Sequence, residues 1–157
     1  MKNKGFSLIE IVVAVAIIGI LSGIVGLQLR GYIAKAKDAK AVATLNSFRV
    51  AAQLYQTENE TALVDVADLN TYNEAKVIEG LKKLETYLDN NAKEIMAKPE
   101  MVIGGSKTAA DADVKYGGKV RLTFKNPSGA SDGFYIWLEP TDGTGDFDIK
   151  GHKWIEY

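Results

Sequence analysis

Apolar and polar positions divide the chain into segments with different periodicities. Residues 11–29 contain no charged side chain. At about 1.5 Å per residue they would form a helix of about 28 Å, close to the roughly 30 Å hydrocarbon thickness of a bilayer. This run predicts a membrane-spanning helix. Basic residues lie on both sides of it, so charge alone leaves the orientation open. They are Lys2 and Lys4 before the run, and Arg30, Lys35, Lys37 and Lys40 after it.

Beyond residue 30 the helical pattern continues but becomes amphipathic. Apolar residues recur at alternating spacings of four and three, and charged or amide side chains fill other positions. No proline precedes Asn59, so we predict one N-terminal helix of about 54 residues, or roughly 80 Å. Its second half would cover a domain core with one stripe of side chains. The stripe consists of Ala41, Leu45, Phe48, Ala52 and Tyr55.

The middle of the chain predicts a second helix that belongs to a head domain. Residues 74–89 repeat apolar side chains at helical spacing, and Asn73 is placed to cap the first turn. Asn90 and Asn91 lie near its predicted end. Pro99 and the glycine pair that follows it then indicate a change to extended structure.

The last third of the chain predicts an antiparallel sheet. Residues 120–124 and 134–138 each alternate between two faces, and the turn-forming residues 126–133 separate them. Shorter strands are predicted at residues 147–149 and 153–157. A sheet of three or four strands lying on the second half of the long helix would bury both apolar faces. The predicted fold class is therefore α+β.

Composition supports one folded domain and narrows its chemistry. The 157 residues are 46% hydrophobic and 25% charged, which is typical of a folded protein. A formal net charge of -1 gives no sign of a nucleic-acid-binding surface, so no nucleic-acid partner is expected. The absence of cysteine excludes disulfides, thiol catalysis and thiolate metal sites.

An ordinary membrane-spanning segment does not account for the carboxylate of Glu10. It lies at the start of the apolar run, where an unpaired carboxylate is costly to remove from water. A secretory signal peptide, cleaved near Ala34, Lys35 and Ala36, would need a much shorter apolar core. A plain uncleaved anchor fits the length but leaves Glu10 without a role.

The opening residues MKNKGFSLIEIVVAVAIIGIL closely resemble the class III signal of type IV pilins and pseudopilins. A short basic leader ends at Gly5, Phe6 would be the first mature residue, and Glu10 takes the fifth mature position. The resemblance covers roughly the first thirty residues. It implies that a prepilin peptidase cuts between Gly5 and Phe6 and N-methylates the new amine. It also implies a type IV pilin-like fold, with a long N-terminal helix packed on a small antiparallel sheet.

This resemblance divides the chain into four expected segments. Residues 1–5 form the cleaved leader, and residues 6–29 form the transmembrane and assembly half of the helix. Residues 30–59 form its amphipathic half, and residues 60–157 form the globular head. Loss of the leader removes Lys2 and Lys4, which makes the mature chain more acidic.

Cleavage would also supply Glu10 with a partner. The new cationic amine of Phe6 would lie about one helical turn from Glu10, and Glu10 could also reach the Phe6 amine of a neighbouring subunit. We hypothesise that this intermolecular pair sets the register between subunits, as the resemblance implies. The alternative is that Glu10 lies in the headgroup layer of a monomeric anchor.

Glycines within the apolar run provide a second assembly signal. Gly19, Gly23 and Gly26 follow Ala16 at helical spacing, so another helix could approach this stripe closely. Many family members have proline at the twenty-second mature position, where this chain has Leu27. Local unwinding in a filament would therefore depend on the three glycines.

Other candidate sites carry weaker signals. His152 is the only histidine, so a surface position is expected for it and no histidine metal pair exists. Asp142, Asp146 and Asp148 are calcium candidates, but their spacing does not match an EF-hand, and no metal site is predicted. Asn59 begins an N-glycosylation pattern that is common by chance. No phosphate-binding loop or supported carboxylate pair appears, so we expect neither a cofactor nor catalytic activity.

The predicted function is that of a structural subunit of a type IV pilus. The resemblance implies insertion in the cytoplasmic membrane, processing by prepilin peptidase, and polymerisation into an extracellular homo-oligomeric filament by platform and ATPase machinery. Cell adhesion and twitching motility are roles typical of such filaments. Two alternatives remain: a pseudopilin of a type II secretion system, and a minor pilin with an adhesive or DNA-capturing head.

Overall fold

A computed structural model of the chain describes residues 5–69, 71–141 and 143–157. Helix α1 runs from Leu8–Glu58 without interruption, which confirms the single long N-terminal helix. The chain divides into two compact units, Met1–Ile33 and Ala34–Tyr157, and α1 passes through both. The other helices are α2, Glu74–Lys82, and α3, Ala92–Ala97, with short 3-10 turns at Val66–Asp68, Glu85–Tyr87 and Trp154–Glu156.

The first unit presents its large apolar side chains to the outside. Leu8 is 82% exposed, and Val13, the least exposed of the large apolar side chains described between residues 8 and 29, is 48% exposed. Burial of apolar surface is the main favourable contribution to folding, and this part of α1 gains almost none of it within the chain. A different environment must therefore cover this surface.

The second half of α1 contributes one face to the core of the second unit. Leu45 and Phe48 are fully buried, and Ala41 and Ala52 are 2% and 4% exposed. Tyr55 is partly buried and packs against the same core. These are the five residues of the predicted stripe, so the amphipathic pattern identified the buried face of the helix correctly.

Two small antiparallel sheets complete the second unit. The larger has the strand order β1, β4, β5, formed by Glu100–Val102, Lys119–Thr123 and Trp137–Pro140. Its register places Met101 opposite Val120 and Leu122 opposite Leu138, and Val120, Leu122 and Leu138 are fully buried. The smaller sheet pairs β2, Gly105–Ser106, with β3, Lys115–Tyr116. The predicted α+β arrangement, a long helix packed on a small antiparallel sheet, is confirmed.

The prediction of one helix over residues 74–89 was wrong in length. Asn73 caps α2 as expected, because its side chain accepts the main-chain N–H of Lys76 at 3.2 Å. The α-helix then ends at Lys82, where the Leu84 N–H donates to the carbonyl of Leu81 three residues earlier. Bonds of this spacing tighten the backbone into 3-10 turns and leave the apolar residues on the core side.

Three strand predictions also needed correction. Residues 134–136 lie outside β5, because the carboxylate of Asp132 accepts the main-chain N–H groups of both Phe134 and Tyr135, at 2.9 and 2.8 Å. Asp side chains compete with strand pairing in this way at turns. The short strands predicted at residues 147–149 and 153–157 are not formed within residues 143–157. Isolated bridges pair Phe147 with Lys107 and with Lys153, and a 3-10 turn follows at Trp154–Glu156.

Arg49 joins α1 to the residues just before β5 and to Tyr157. Its Nε donates to the carbonyl of Ile136 at 2.8 Å, and its Nη1 donates to the main-chain oxygen of Tyr157. The guanidinium also lies over the Tyr135 ring, 4.3 Å from the ring centroid. A planar group with several donors suits this combination of contacts better than a lysine would.

Asp38 is a buried carboxylate at a close contact between α1 and the strands. It is 6% exposed and accepts the main-chain N–H of Gly104 at 2.7 Å. Gly104 lies so close to Ala34 that a Cβ on this residue would overlap the main chain of the helix. The contact therefore requires glycine on one side and a hydrogen-bond acceptor on the other.

Replacement of Asp38 by asparagine tests the effect of this burial. Removal from water raises the pKa of the Asp38 carboxyl, because burial disfavours its charged form, although main-chain N–H groups oppose the shift. The folded state therefore binds this proton more tightly, and its contribution to the free energy of unfolding falls as pH rises above about 4. Asparagine has no such proton. Asp38→Asn should thus gain stability relative to the native chain between about pH 4 and about pH 7.

Urea denaturation of both proteins across this pH range measures the difference. Asparagine keeps an oxygen that can accept the Gly104 N–H, but its amide nitrogen cannot accept the Ile149 N–H that lies 3.5 Å from Asp38 Oδ2. Loss of that bond lowers stability by the same amount at every pH, so the change of the stability difference with pH reports the charge. A stability difference that does not change with pH would contradict the prediction.

Candidate functional site

The start of α1 is closed by reciprocal hydrogen bonds between Ser7 and Glu10. The main-chain N–H and the hydroxyl of Ser7 both donate to Glu10 Oε2 at 2.7 Å. The Glu10 main-chain N–H donates in return to Ser7 Oγ at 3.3 Å. This is a capping box, in which two side chains satisfy N–H groups that the first helical turn leaves without partners.

The capping box gives Glu10 a role that our sequence reasoning missed. The signal was present, because Ser7 and Glu10 have the spacing of serine and glutamate that precedes an apolar helix. Our prediction considered only the charge of Glu10. Its side chain is exposed, so the same carboxylate that caps the helix is accessible to other groups.

Gly5 and Phe6 precede the first helical residue, Leu8, and have no regular secondary structure. Both are exposed, and Phe6 is 85% exposed. A peptidase can bind such a segment without first unwinding a helix. Residues 1–4, which include the leader lysines Lys2 and Lys4, lie outside the described residues.

The predicted glycine stripe is open. Gly19, Gly23 and Gly26 lie on α1, and a Cβ added at any of them would meet nothing within 4 Å. Among the described residues, the three glycines therefore serve no packing contact. The helix continues through all three, so the structure contains no unwound segment there.

Among the described residues, the calcium candidates do not form a metal centre. Asp142 lies outside them, and Asp146 is exposed. The Asp148 carboxylate is 2% exposed and accepts the Tyr157 hydroxyl at 2.5 Å and the His152 main-chain N–H at 2.8 Å. Across the described parts of the chain, no group of three or more histidine, cysteine or acidic residues could hold a metal ion.

The Asp148 cluster has a structural explanation instead. Burial and the hydrogen bond to Asp148 raise the pKa of the Tyr157 hydroxyl, which keeps it a neutral donor. His152 is exposed, as predicted, and its Nδ1 lies 3.2 Å from the same hydroxyl. These contacts fix the last residues of the chain against the head.

Helix α1 also meets the length and composition needed to cross a membrane. It is the one helix in the described residues that does so, and none of its most apolar window is buried inside the structure. A long exposed apolar helix that begins with a capping box and packs its second half on a small antiparallel sheet is the arrangement of the type IV pilin-like fold class.

Comparison with known proteins supports this class. Residues 1–26 match the family described as the prokaryotic N-terminal methylation motif. Two fimbrial proteins of Pseudomonas aeruginosa are each 29% identical over 94 residues, which cover 57% of this chain and 61% of the relatives. The matched region thus spans less than two thirds of those relatives. No solved structure matches the chain significantly. The predicted resemblance to the type IV pilin and pseudopilin family is confirmed.

Proposed function

We propose that this chain is a structural subunit of a type IV pilus, held in the cytoplasmic membrane before assembly and polymerised through its N-terminal helix. The observation that carries the proposal is the exposure of the apolar half of α1, from 48% at Val13 to 82% at Leu8. Water disfavours such a surface, whereas lipid or the helices of other subunits would cover it. The methylation motif and the fimbrial relatives support the same function.

The same helix suits both environments in the proposed cycle. Residues 11–29 are uncharged and match the hydrocarbon thickness of a bilayer. In a filament, Gly19, Gly23 and Gly26 would allow neighbouring helices to approach closely, because no described side chain occupies the space beside them. Assembly would exchange contacts with lipid for contacts with protein, so the apolar surface stays covered throughout.

Processing at the N-terminus would complete the assembly site. A prepilin peptidase would cut between Gly5 and Phe6 and methylate the new amine. The amine would remain cationic and lie close to the exposed Glu10 carboxylate of its own chain or of a neighbour. In the apolar interior of a helix bundle, opposite charges that pair avoid most of the cost of leaving water. Platform and ATPase proteins would supply the work of extraction.

The segments keep their predicted roles in this proposal. The leader, residues 1–5, would face the cytoplasm and be removed, and residues 6–29 would span the membrane and then form the filament interior. Residues 30–59 would connect that interior to the head, residues 60–157, which would face outward and form the filament surface.

Mass spectrometry of the protein purified from cells tests the processing step. We expect the mature chain to begin at Phe6 and to carry one methyl group on its amine. A strain that lacks prepilin peptidase should yield the chain with its leader intact. Detection of the leader on the exported form in normal cells would contradict the proposed cleavage.

Electron microscopy of surface filaments tests the structural role. Cells that express the chain should carry filaments that label with an antibody against the head, and deletion of the gene should remove them. If the antibody labels only short fibres inside the cell envelope, the chain serves a pseudopilus and the proposed pilus function is wrong.

A further inference from the structure

Within the described parts of the chain, half of the basic residues of the head, residues 60–157, pair with a carboxylate, and three exposed lysines on α1 do not. Lys35, Lys37 and Lys40 are exposed, and among the residues that the structure describes no carboxylate pairs with any of them. The acidic residue between them, Asp38, is buried and accepts main-chain N–H groups instead. Many other basic side chains of the head form ion pairs with carboxylates: Lys76, Lys93, Lys98, Lys119, Arg121 and Lys153.

Their distance from residues 11–29 places the backbone of these lysines just beyond the layer of lipid headgroups. Along the helix axis, Lys35 lies about 9 Å beyond Leu29, Lys37 about 12 Å and Lys40 about 16 Å. The headgroup layer of one leaflet is roughly 5 to 8 Å thick. A flexible lysine stem can bring its ammonium group several ångströms back toward the membrane. Lys35 and Lys37 can therefore reach the phosphates, and Lys40 lies within about one Debye length of them.

The helical positions of the lysines suit a surface that surrounds the helix. Lys37 and Lys40 are three residues apart and lie on the same side of α1. Lys35 lies on the other side of α1 from Lys37 and Lys40, and the buried face that contains Ala34 and Asp38 separates them. One flat protein partner would contact one side only, whereas lipid headgroups meet the helix on all of its exposed sides.

We infer that Lys35, Lys37 and Lys40 bind the phosphate groups of anionic phospholipids in the outer leaflet of the cytoplasmic membrane. This inference rests on the proposed function, because it concerns the subunit before assembly. Each lysine near an anionic surface contributes roughly fivefold to binding. The lysines would hold the subunit at a defined depth and add to the attraction that assembly must overcome.

Electron paramagnetic resonance of the full-length chain in vesicles tests this inference. The vesicles contain phosphatidylcholine with about one third phosphatidylglycerol, and the association of spin-labelled phosphatidylglycerol is measured relative to spin-labelled phosphatidylcholine. The native chain should prefer the anionic lipid, and the triple variant Lys35→Gln, Lys37→Gln, Lys40→Gln should lose roughly fivefold or more of that preference. About 1 M salt, which shortens the Debye length to roughly 3 Å, should abolish the native preference.

A matched control removes three lysines elsewhere on the head. Lys82, Lys93 and Lys125 are exposed and lie in or beside α2, α3 and β4. Their triple replacement by glutamine changes the net charge equally and should leave the lipid preference unchanged. An equal loss in the control would overturn the inference, because net charge alone would then explain the preference.

Two further outcomes separate this inference from the proposed function. If the native chain stays in the vesicles after a carbonate wash but shows no lipid preference, this inference is wrong and the proposed function stands. If the chain washes out of the vesicles, membrane insertion itself is wrong. If the lysine variant keeps its lipid preference but no longer forms filaments, the lysines contact other subunits and the lipid assignment is overturned.

Discussion

Glu10→Gln is expected to abolish filament assembly even though it preserves the cap of α1. Glutamine can take the place of glutamate in a capping box, so the hydrogen bonds with Ser7 can still form. What glutamine lacks is the charge that would pair with the methylated amine of Phe6. Assembly measured by filament yield from cells should therefore fall below detection, while the amount of subunit in the membrane stays normal.

Two companion variants separate capping from charge. Glu10→Ala removes both functions and should fail to assemble as Glu10→Gln does. Ser7→Ala removes the cap but leaves the charge, and loss of an N-cap side chain typically costs about 1 kcal/mol of helix stability. It should therefore still form filaments. Normal filaments from Glu10→Gln, together with none from Ser7→Ala, would show that the cap and not the charge governs assembly.

Gly104→Ala is expected to be the most disruptive small substitution in the head. A Cβ at residue 104 would overlap the main-chain oxygen and the Cα of Ala34, so a side-chain rotation cannot relieve the contact. The segment between β1 and β2 must then separate from α1, which also stretches the 2.7 Å bond from the Gly104 N–H to Asp38. Overpacking of this kind typically costs 1 to 3 kcal/mol, and with the weakened buried hydrogen bond we expect a loss of about 3 kcal/mol or more.

Gly129→Ala provides the matched control for this substitution. A Cβ at residue 129 meets nothing within 4 Å, and its main chain does not have a positive φ. Both variants restrict the unfolded chain equally, an effect that stabilises by about 0.4 to 1 kcal/mol where the folded conformation allows it. Urea denaturation should show the control to be as stable as the native protein or slightly more so. Equal stability of the two variants would contradict the close contact between Gly104 and α1.

The sequence predicted the long helix and its buried face well, because both depend on a regular period. The spacing from Ala41 to Tyr55 repeats over several turns, and all of these residues pack into the core. The alternation at Val120 and Leu122 likewise identified β4. A pattern of this length predicts an element reliably, because each residue supports the periodicity of the others.

Short elements and local hydrogen bonds were harder to predict. Helix α3 has six residues and β1 has three, so neither contains enough positions to establish a period. The apolar spacing that suggested a helix to residue 89 also suits the 3-10 turn at Glu85–Tyr87. At residues 134–136 the Asp132 carboxylate competes successfully with strand pairing, although the apolar alternation continues.

Contacts between distant residues could not be predicted from periodicity at all. Asp38 and Gly104 are joined across α1 and the strands, and Arg49 reaches the carbonyl of Ile136. Asp38 and Arg49 alone suggest exposed charges, and Gly104 alone suggests a turn. The candidate site shows the opposite case, since the capping box of Ser7 and Glu10 is local and its spacing was visible in the sequence.

The buried face of α1 has a mechanical consequence. Leu45 and Phe48, on the same continuous helix as the apolar half, are fully enclosed by the head, and Arg49 ties that helix to Ile136, just before β5, and to Tyr157. Tension applied along a fibre of such subunits would load tightly packed side chains instead of a slack tether. The head would resist pulling until its interior yields, so the strength of the fibre would be limited by the cohesion of each subunit's own interior.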